Sequence, residues 1–323
     1  MQAQAPQKVA HGADAPAAAP AALRAVVLLA GTPRASALLT GVERSPLDLP
    51  VDERRTLLDL WIEQCQALAR HRPGPPLHLR VLVNANTPTP RPRQVDDAEH
   101  GLHLSIEQET ASYRGSGGAV RDAAAAYGEA ERILVASAGQ VLVTPVVELF
   151  NALQALHADA AVLAHRDGTP GGMSYLRCGA LRDIPERGFV DLKEQALPRL
   201  AERHDVRVLE AGGDGVLPVR TGSDYLAALR WHHRGGQAGN GAEASGRDPA
   251  FAEDWQRTFA IVEPGATVDS GAWIHDSVVL AGARVDAGAT VVRSIVGPAG
   301  HVPRRGRAVD EIVTGESNGR HRD

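Results

Sequence analysis

Three stretches carry residue types that could meet a bound small molecule or its phosphates: Gly31-Thr32-Pro33-Arg34, Gly115-Ser116-Gly117-Gly118 and Asp191-Leu192-Lys193-Glu194. In the first, an apolar run from Ala25 to Leu29 meets a glycine turn. Backbone N–H groups at such a strand-to-helix turn favour anions, and the planar fork of Arg34 suits phosphate oxygens, while Pro33 removes one donor. The second stretch puts glycines ahead of an alanine-rich segment, where a missing Cβ lets another group approach the backbone. The third holds one of only two lysines in the chain, Lys8 being the other. Its flanking acids equally suit the positive end of a starting helix. Metal chemistry has weaker support. His100 and His103, and the His232–His233 pair, lack a third ligand nearby, and no Cys-x-x-Cys or His-Glu-x-x-His accompanies them. Solvated histidines are the expectation, and no metal ligand is assigned.

These stretches need elements to position them. Ala25–Leu29 reads as a buried strand. Leu57, Trp61, Cys65 and Leu68 recur at helical spacing behind it, with Leu58 and Ile62 widening the stripe. A buried strand, a glycine turn and a returning helix open an α/β domain that takes a nucleotide at its strand ends. Further strands are expected at 79–83, 102–106, 133–136, 160–163, 173–176, 206–209 and 216–219. Helices are expected after Gly115, after Thr144-Pro145 with Thr144 as cap, at 192–200 and at 223–231. The alternation predicts a mostly parallel sheet covered on both faces.

After a Gly-, Ala- and Ser-rich linker the period changes. Val262, Val268 and Ile274 stand six apart; Val279, Val285 and Val291 repeat the spacing after a five-residue step, and Val296 and Val302 do so again. Small residues recur at Ala266, Ala272, Ala283 and Ala289. This hexapeptide pattern predicts a parallel β-helix of about eight rungs, each aliphatic pointing inward and each small residue filling a corner. The expected division is a disordered arm over 1–22, an α/β domain over 23–232, a linker over 233–258, the hexapeptide array over 259–303 and a frayed tail over 304–323.

Composition narrows the class. A hydrophobic content of 43% supports a sizeable core, and 4% aromatic makes it aliphatic. A net charge of −5 gives no electrostatic case for nucleic acid or an anionic membrane as partner. No apolar run reaches spanning length, residues 1–22 lack a signal-peptide core, and Cys65 and Cys178 carry no pairing motif, so a cytoplasmic protein is expected.

The order of landmarks adds a resemblance. Leu29-Ala30-Gly31-Thr32-Pro33-Arg34, then Arg44-Ser45-Pro46-Leu47-Asp48-Leu49-Pro50-Val51, then Thr56-Leu57-Leu58 resembles the start of the sugar-1-phosphate nucleotidyltransferases, the nucleotide-sugar pyrophosphorylases. A hexapeptide array after such a domain is characteristic of that family. The resemblance implies a Rossmann-like nucleotidyltransferase domain with a mostly parallel mixed sheet, followed by a short left-handed parallel β-helix. It also implies that Gly31, Thr32 and Arg34 lie against the triphosphate and that Gly115, Ser116, Gly117 and Gly118 form the loop approaching the base. Asp191, Lys193 and Glu194 become candidates for sugar or phosphate contact.

Departures from the family pattern concern the chemistry. The glycine loop is depleted, and Ser45 stands where the family carries lysine. Two family aspartates hold Mg²⁺; aligned by their neighbours, Gln140 and Pro218 occupy those positions, and nothing in spacing singles out Asp214 or Asp167 as substitutes. Only 164–172 joins two strands between which the family carries a sugar-gripping segment. The expected function is therefore binding of a nucleotide or nucleotide sugar without metal-dependent turnover, in a regulatory or scaffold role. Association would be a homo-oligomer through the β-helix or a hetero-subunit of an active homologue. The alternatives are an active pyrophosphorylase with a rebuilt site, using Mg²⁺ with Arg34 and Lys193 on phosphate, and a hexapeptide-coil acyltransferase using His275 or His301.

Overall fold

The computed structural model describes residues 22–31, 37–95, 101–109, 114–165, 168–210, 215–234 and 258–315. Thr32, Arg34, His100, Asp167, Asp214, the arm as far as 21 and most of the linker lie outside the described residues.

In chain order the first half runs β1 (Leu23–Leu29), α1 (Ala37–Val42), α2 (Leu57–His71), β2 (Leu77–Val83), β3 (Leu102–Gln108), α3 (Gly115–Ala124), β4 (Arg132–Ser137) and β5 (Gln140–Leu142). Then come α4 (Val146–Gln154), β6 (Ala160–Ala164), β7 (Pro170–Arg177), α5 (Cys178–Leu181), a π-helical turn Leu192–Ala196, α6 (Leu197–Ala201), β8 (Val206–Glu210), β9 (Val216–Pro218) and α7 (Gly222–His233). The main sheet has the order β3-β2-β1-β4-β7-β6-β8. Every neighbouring pair is parallel except the two that β7 makes, with β4 and β6. The expected mostly parallel sheet is thus a mixed one with a single reversed strand.

Alternation along β1 divides the core. Val26 and Leu28 join one apolar cluster with α2, α4 and α7, while Ala25 and Val27 join the other with α3, α5 and α6. The stripe expected on α2 is buried in full, from Leu57 through Trp61 and Cys65 to Leu68. Its start is fixed by a reciprocal cap between Thr56 and Asp59. Helix α4 departs from expectation: it begins one residue later, with Pro145 at the cap and no side-chain cap bond. The Val146 N–H is satisfied instead by Gln64 Oε1 at 3.0 Å, an acceptor supplied by α2. Among the described residues no helix is long and apolar enough to cross a membrane.

From Ala260 onward, ten strands of two or three residues, β10 (Ala260–Val262) to β19 (Ile312–Val313), form three small all-parallel sheets. Ile261 pairs with Val278, Val278 with Ile295 and Ile295 with Ile312, a constant step of 17 residues. That step is the sequence's two six-residue spacings and one of five, so the pairing is compatible with the coil its periodicity predicts. Val279, Val285, Val291, Val296 and Val302 meet inside. The five-residue corner is a tight one: Asp276, Arg293 and Asp310 stack there, all at positive φ.

The region expected as a tail is part of this array as far as Val313. β18 (Arg307–Val309) pairs with β15 (Thr290–Val292), and β19 pairs with β16 (Ile295–Val296). Ala308 takes the inward place that an aliphatic fills elsewhere, and arginines at 304, 305 and 307 surround it, which hides the period.

The array is docked firmly on the α/β domain. Arg44 Nη1 donates to both Glu263 oxygens (2.7 and 2.9 Å), and Arg230 Nε donates to Asp276 Oδ2 at 2.8 Å. Phe259, Ile261, Val278, Leu280 and Ile295 belong to the same apolar cluster as α2 and α7.

Candidate functional site

Parallel strands deliver their carboxyl ends to one edge of the sheet, and the reversed β7 brings its amino end there. Gly31, Asn84, Gly139 and Pro170 all lie at this edge. At Gly31 the chain passes so close to β2 that an added Cβ would stand 2.8 Å from Asn84 Nδ2. Asn84 is in turn held by its own turn, its Oδ1 accepting from Asn86 N and Thr87 Oγ1.

The second and third candidate stretches, some 75 residues apart, meet. Ser116 Oγ donates to Asp191 Oδ2 (3.1 Å) and accepts from Leu192 N (2.8 Å). Gly117 N donates to Val190 O at 2.8 Å, and Val190 N to Arg114 O at 2.9 Å. Gly115 has φ +70°, and a Cβ on it would fall 2.5 Å from Val190 O. The close approach these glycines permit is therefore an internal one, between the start of α3 and the strand-like segment before the π-helical turn. Gly118 packs on Arg114, whose guanidinium is buried and paired to Asp122. Asp191 caps the π-helical turn, its Oδ1 accepting from Lys193 N (2.8 Å) and Glu194 N (2.9 Å). Glu194 stays exposed.

Lys193 extends its ammonium toward Pro170 O, at 3.5 Å. Crowding around its stem is the main cause that lowers its pKa; Asp191 opposes the shift and the nearby cation Arg220 adds to it. Arg220 carried no signal in the sequence beyond standing two residues after Pro218, yet it shares this neighbourhood.

The positions that bear on a metal lie on β5 and β9. The two form an antiparallel pair in which Gln140 is the direct partner of Pro218. The two positions where the resemblance implies carboxylates are thus neighbours, as ligands of one ion would be. Gln140 is only 4% exposed, and its Nε2 is buried without a hydrogen-bond partner. Its Oε1 lies over Gly172 (φ +74°), where a Cβ would come within 2.6 Å. An uncharged amide and a proline ring do not fit Mg²⁺, which is held by carboxylate oxygens and water. Among the described residues no three of His, Cys, Asp and Glu cluster closely enough to hold a metal ion.

The other candidates take structural parts. His103 lies on β3 rather than in a loop, its ring 4.7 Å from that of His78. His78 Nε2 and Ser105 Oγ are 2.8 Å apart, but the serine proton goes to Glu107, so the imidazole donates to the hydroxyl and is no base for it. His232 takes a bond from Arg55 and is pushed below its ordinary pKa by burial. His301 pairs with Asp286 at 3.0 Å, and His275 is buried. Both cysteines are buried and free, and burial pushes the Cys178 thiol up to about 11.

Scanning the sequence against protein-family models gives no match, and neither does comparison with curated proteins. Comparison with solved structures returns similarities over about two thirds of the chain. A Bacillus anthracis protein provisionally assigned as a glucose-1-phosphate thymidylyltransferase, solved with sucrose, is 12% identical with a TM-score of 0.48, covering 64% of this chain and 94% of its own. A homologue of Mycobacterium tuberculosis Rv0371c from Mycobacterium sp. strain JC1 is 20% identical with a TM-score of 0.41, covering 64% and 96%. HddC from Yersinia pseudotuberculosis is 14% identical with a TM-score of 0.42, covering 65% and 100%.

Proposed function

We propose that this chain is a sugar-1-phosphate nucleotidyltransferase-type protein that binds a nucleotide or nucleotide sugar at the carboxyl ends of β1, β2 and β4 without metal-dependent turnover. Its role is regulatory or scaffolding, in the cytoplasm. The C-terminal array is a short left-handed β-helix, through which copies of the chain, or this chain and an active homologue, associate.

The single observation carrying this reading is Gln140 opposite Pro218. Nucleotidyl transfer forms a bond between a sugar phosphate oxygen and the α-phosphorus and breaks the bond to pyrophosphate. Negative charge accumulates on the phosphoryl oxygens, and a carboxylate-held divalent ion is the usual means of neutralising it. The two side chains here supply no negative ligand to such an ion. The acyltransferase alternative has little support, since His301 is tied to Asp286 and His275 is buried.

The test combines a release assay with a binding assay. Purified protein is given Mg²⁺, each nucleoside triphosphate and a panel of sugar 1-phosphates, and pyrophosphate is measured; the same ligands and nucleotide sugars are screened by thermal shift. A raised Tm with at least one nucleotide or nucleotide sugar, and no pyrophosphate above background, is the expected result. Pyrophosphate release at an enzyme-like rate overturns the reading.

A further inference from the structure

We infer that the cleft between α7 and the array binds a short amino acid end to end, its carboxylate on Arg230, its ammonium on Glu311 and its methylenes between them. The inference goes beyond the nucleotide-binding reading and does not rest on it.

The cleft is a cavity of about 360 Å³ where the α/β domain meets the array. One wall is a single face of α7, on which Gly222, Leu226 and Arg230 stand a turn apart. The other wall is the five-residue corner of the array and the strands that leave it, with Ile295 on β16 and Ile312 on β19. The walls meet at the first turn of α7, where a Cβ added to Gly222 would stand 3.2 Å from Ile312 Cδ1 and 3.4 Å from Ile295 Cδ1. Leu226, Ile295 and Ile312 make the middle of the cleft aliphatic, and small-molecule sites are built in this way, apolar walls with a few placed polar groups at a domain junction.

Two polar groups on these walls are unmatched. Arg230 is 6% exposed and donates only through Nε, to Asp276 Oδ2; neither of its Nη groups has an acceptor among the described residues. The outer fork of a buried guanidinium is therefore open. Glu311 is held by its backbone N–H, on Ser294 Oγ at 3.2 Å, while its exposed carboxylate has no partner among the described residues. The other charges of the cleft close on one another. Arg293 gives Nε and Nη2 to Asp310 at 2.6 and 2.7 Å, and Asp276 answers the charge of Arg230. Among the described groups the sum is one negative charge, that of Glu311, so an anion alone is disfavoured. A ligand with an ammonium for Glu311 and acceptor oxygens for the Arg230 fork matches both open groups.

The coil repeat sets the length of that ligand. Arg293 N donates to His275 O and Asp310 N to Val292 O, so Asp276, Arg293 and Asp310 stand at one corner of three successive coils. Neighbouring strands lie about 4.8 Å apart, which puts Arg230, at Asp276, and Glu311, beside Asp310, about 10 Å apart along the array. Two charge-assisted hydrogen bonds of about 2.8 Å leave roughly 4–5 Å between the nitrogen and the oxygens of the ligand. An α-amino acid is too short for that span. A β- or γ-amino acid fits it, and the cavity leaves room for side groups on its chain.

Isothermal titration of the full chain with glycine, β-alanine, γ-aminobutyrate, ε-aminocaproate, butyrate and butylamine tests the cleft. Either β-alanine or γ-aminobutyrate should bind with a Kd of about 1 mM or tighter. The other four, which are too short, too long or lack one charged end, should each bind about tenfold more weakly or worse, the loss expected of one charge-assisted hydrogen bond. Glu311→Gln and Arg230→Lys should each weaken the best ligand by about the same factor. Ser223→Trp, which fills the cleft from its rim, should abolish binding. Ligand-free Tm values within about 2 °C of wild type check that the variants are folded. Because Arg230 also docks the array, Glu311→Gln and Ser223→Trp carry the test if Arg230→Lys fails to fold. Any of the other four probes binding as tightly as the best ligand, a Glu311→Gln or Ser223→Trp variant that binds like wild type, or no heat from any probe at about 10 mM, overturns the assignment and leaves the nucleotide reading standing.

Discussion

Gln140 and Pro218 are direct partners in the β5–β9 ladder, although 78 positions separate them in the chain. Each was identified from sequence neighbours alone as the place of a missing metal carboxylate. On the proposed reading, their meeting in one ladder makes the two departures one, at the seat of a single ion. It also makes the seat a target for reconstruction.

Replacing both residues, as Gln140→Asp with Pro218→Asp, should create a divalent-cation response that wild type lacks. A buried, unpaired carboxylate at the Gln140 position costs several kcal/mol by itself, so the double variant should be less stable than wild type without metal. Adding Mn²⁺ should then raise its Tm by several degrees, while the wild-type Tm stays unchanged. Equal responses of the two proteins would count against the assignment of these positions.

The docking of the array depends on a buried ion pair. Arg230 and Asp276 side chains are 7% and 4% exposed. Removing one partner, as in Asp276→Ala, leaves an uncompensated charge and should cost about 3–5 kcal/mol in chemical denaturation. Replacing both by apolar residues of similar volume should restore most of that loss. A loss below about 1 kcal/mol for Asp276→Ala, the scale of an exposed pair, would mean that the pair does not hold the array in solution.

Gly115 separates the ligand role of the glycine run from its structural role. With φ +70° and Val190 O 2.5 Å from the position of an added Cβ, Gly115→Ala should destabilise the protein without any ligand present, by roughly 1–3 kcal/mol. A variant of unchanged stability that loses only nucleotide affinity would make the run a ligand loop after all.

Glu107 gives the acid side of the stability profile a marker. Its hydrogen bonds from Arg80 (2.9 and 2.6 Å) are the main cause holding its carboxyl below the ordinary value of 4.5. A carboxyl lowered in the folded state stabilises it fully above the unfolded pKa, and that contribution is lost as pH falls through the folded pKa. The stability gap between wild type and Glu107→Gln should therefore be constant from neutral pH to about 4.5 and close below it. The pair is partly solvated, so the gap should be no more than about 1 kcal/mol. A gap that widens on acidification would contradict the pairing.

Periodicity carried most of the architecture. The stripe of α2 and the aliphatic steps from Val262 to Val302 could be read because burial demands a fixed repeat of apolar residues, whatever surrounds them. The last turn of the array escaped notice because Ala308 is small and its arginine neighbours look like a solvated tail. The site was legible only where position in the chain matters more than contact. The departures at 140 and 218 from the pattern of the resemblance could be placed by their neighbours, but the pairing that unites them is a long-range ladder with no local signature. The glycines at 115–118 show the converse: a missing Cβ announces a close approach without naming what approaches, and Val190 is one partner, at Gly115 and Gly117.

Crystals soaked with a bound nucleotide or nucleotide sugar and with Mn²⁺, measured at a wavelength where manganese scatters anomalously, test the central claim most directly. The account predicts ligand density at the strand ends and no anomalous peak near Gln140 and Pro218. An octahedral manganese ion there, bridging protein and phosphate, would contradict it.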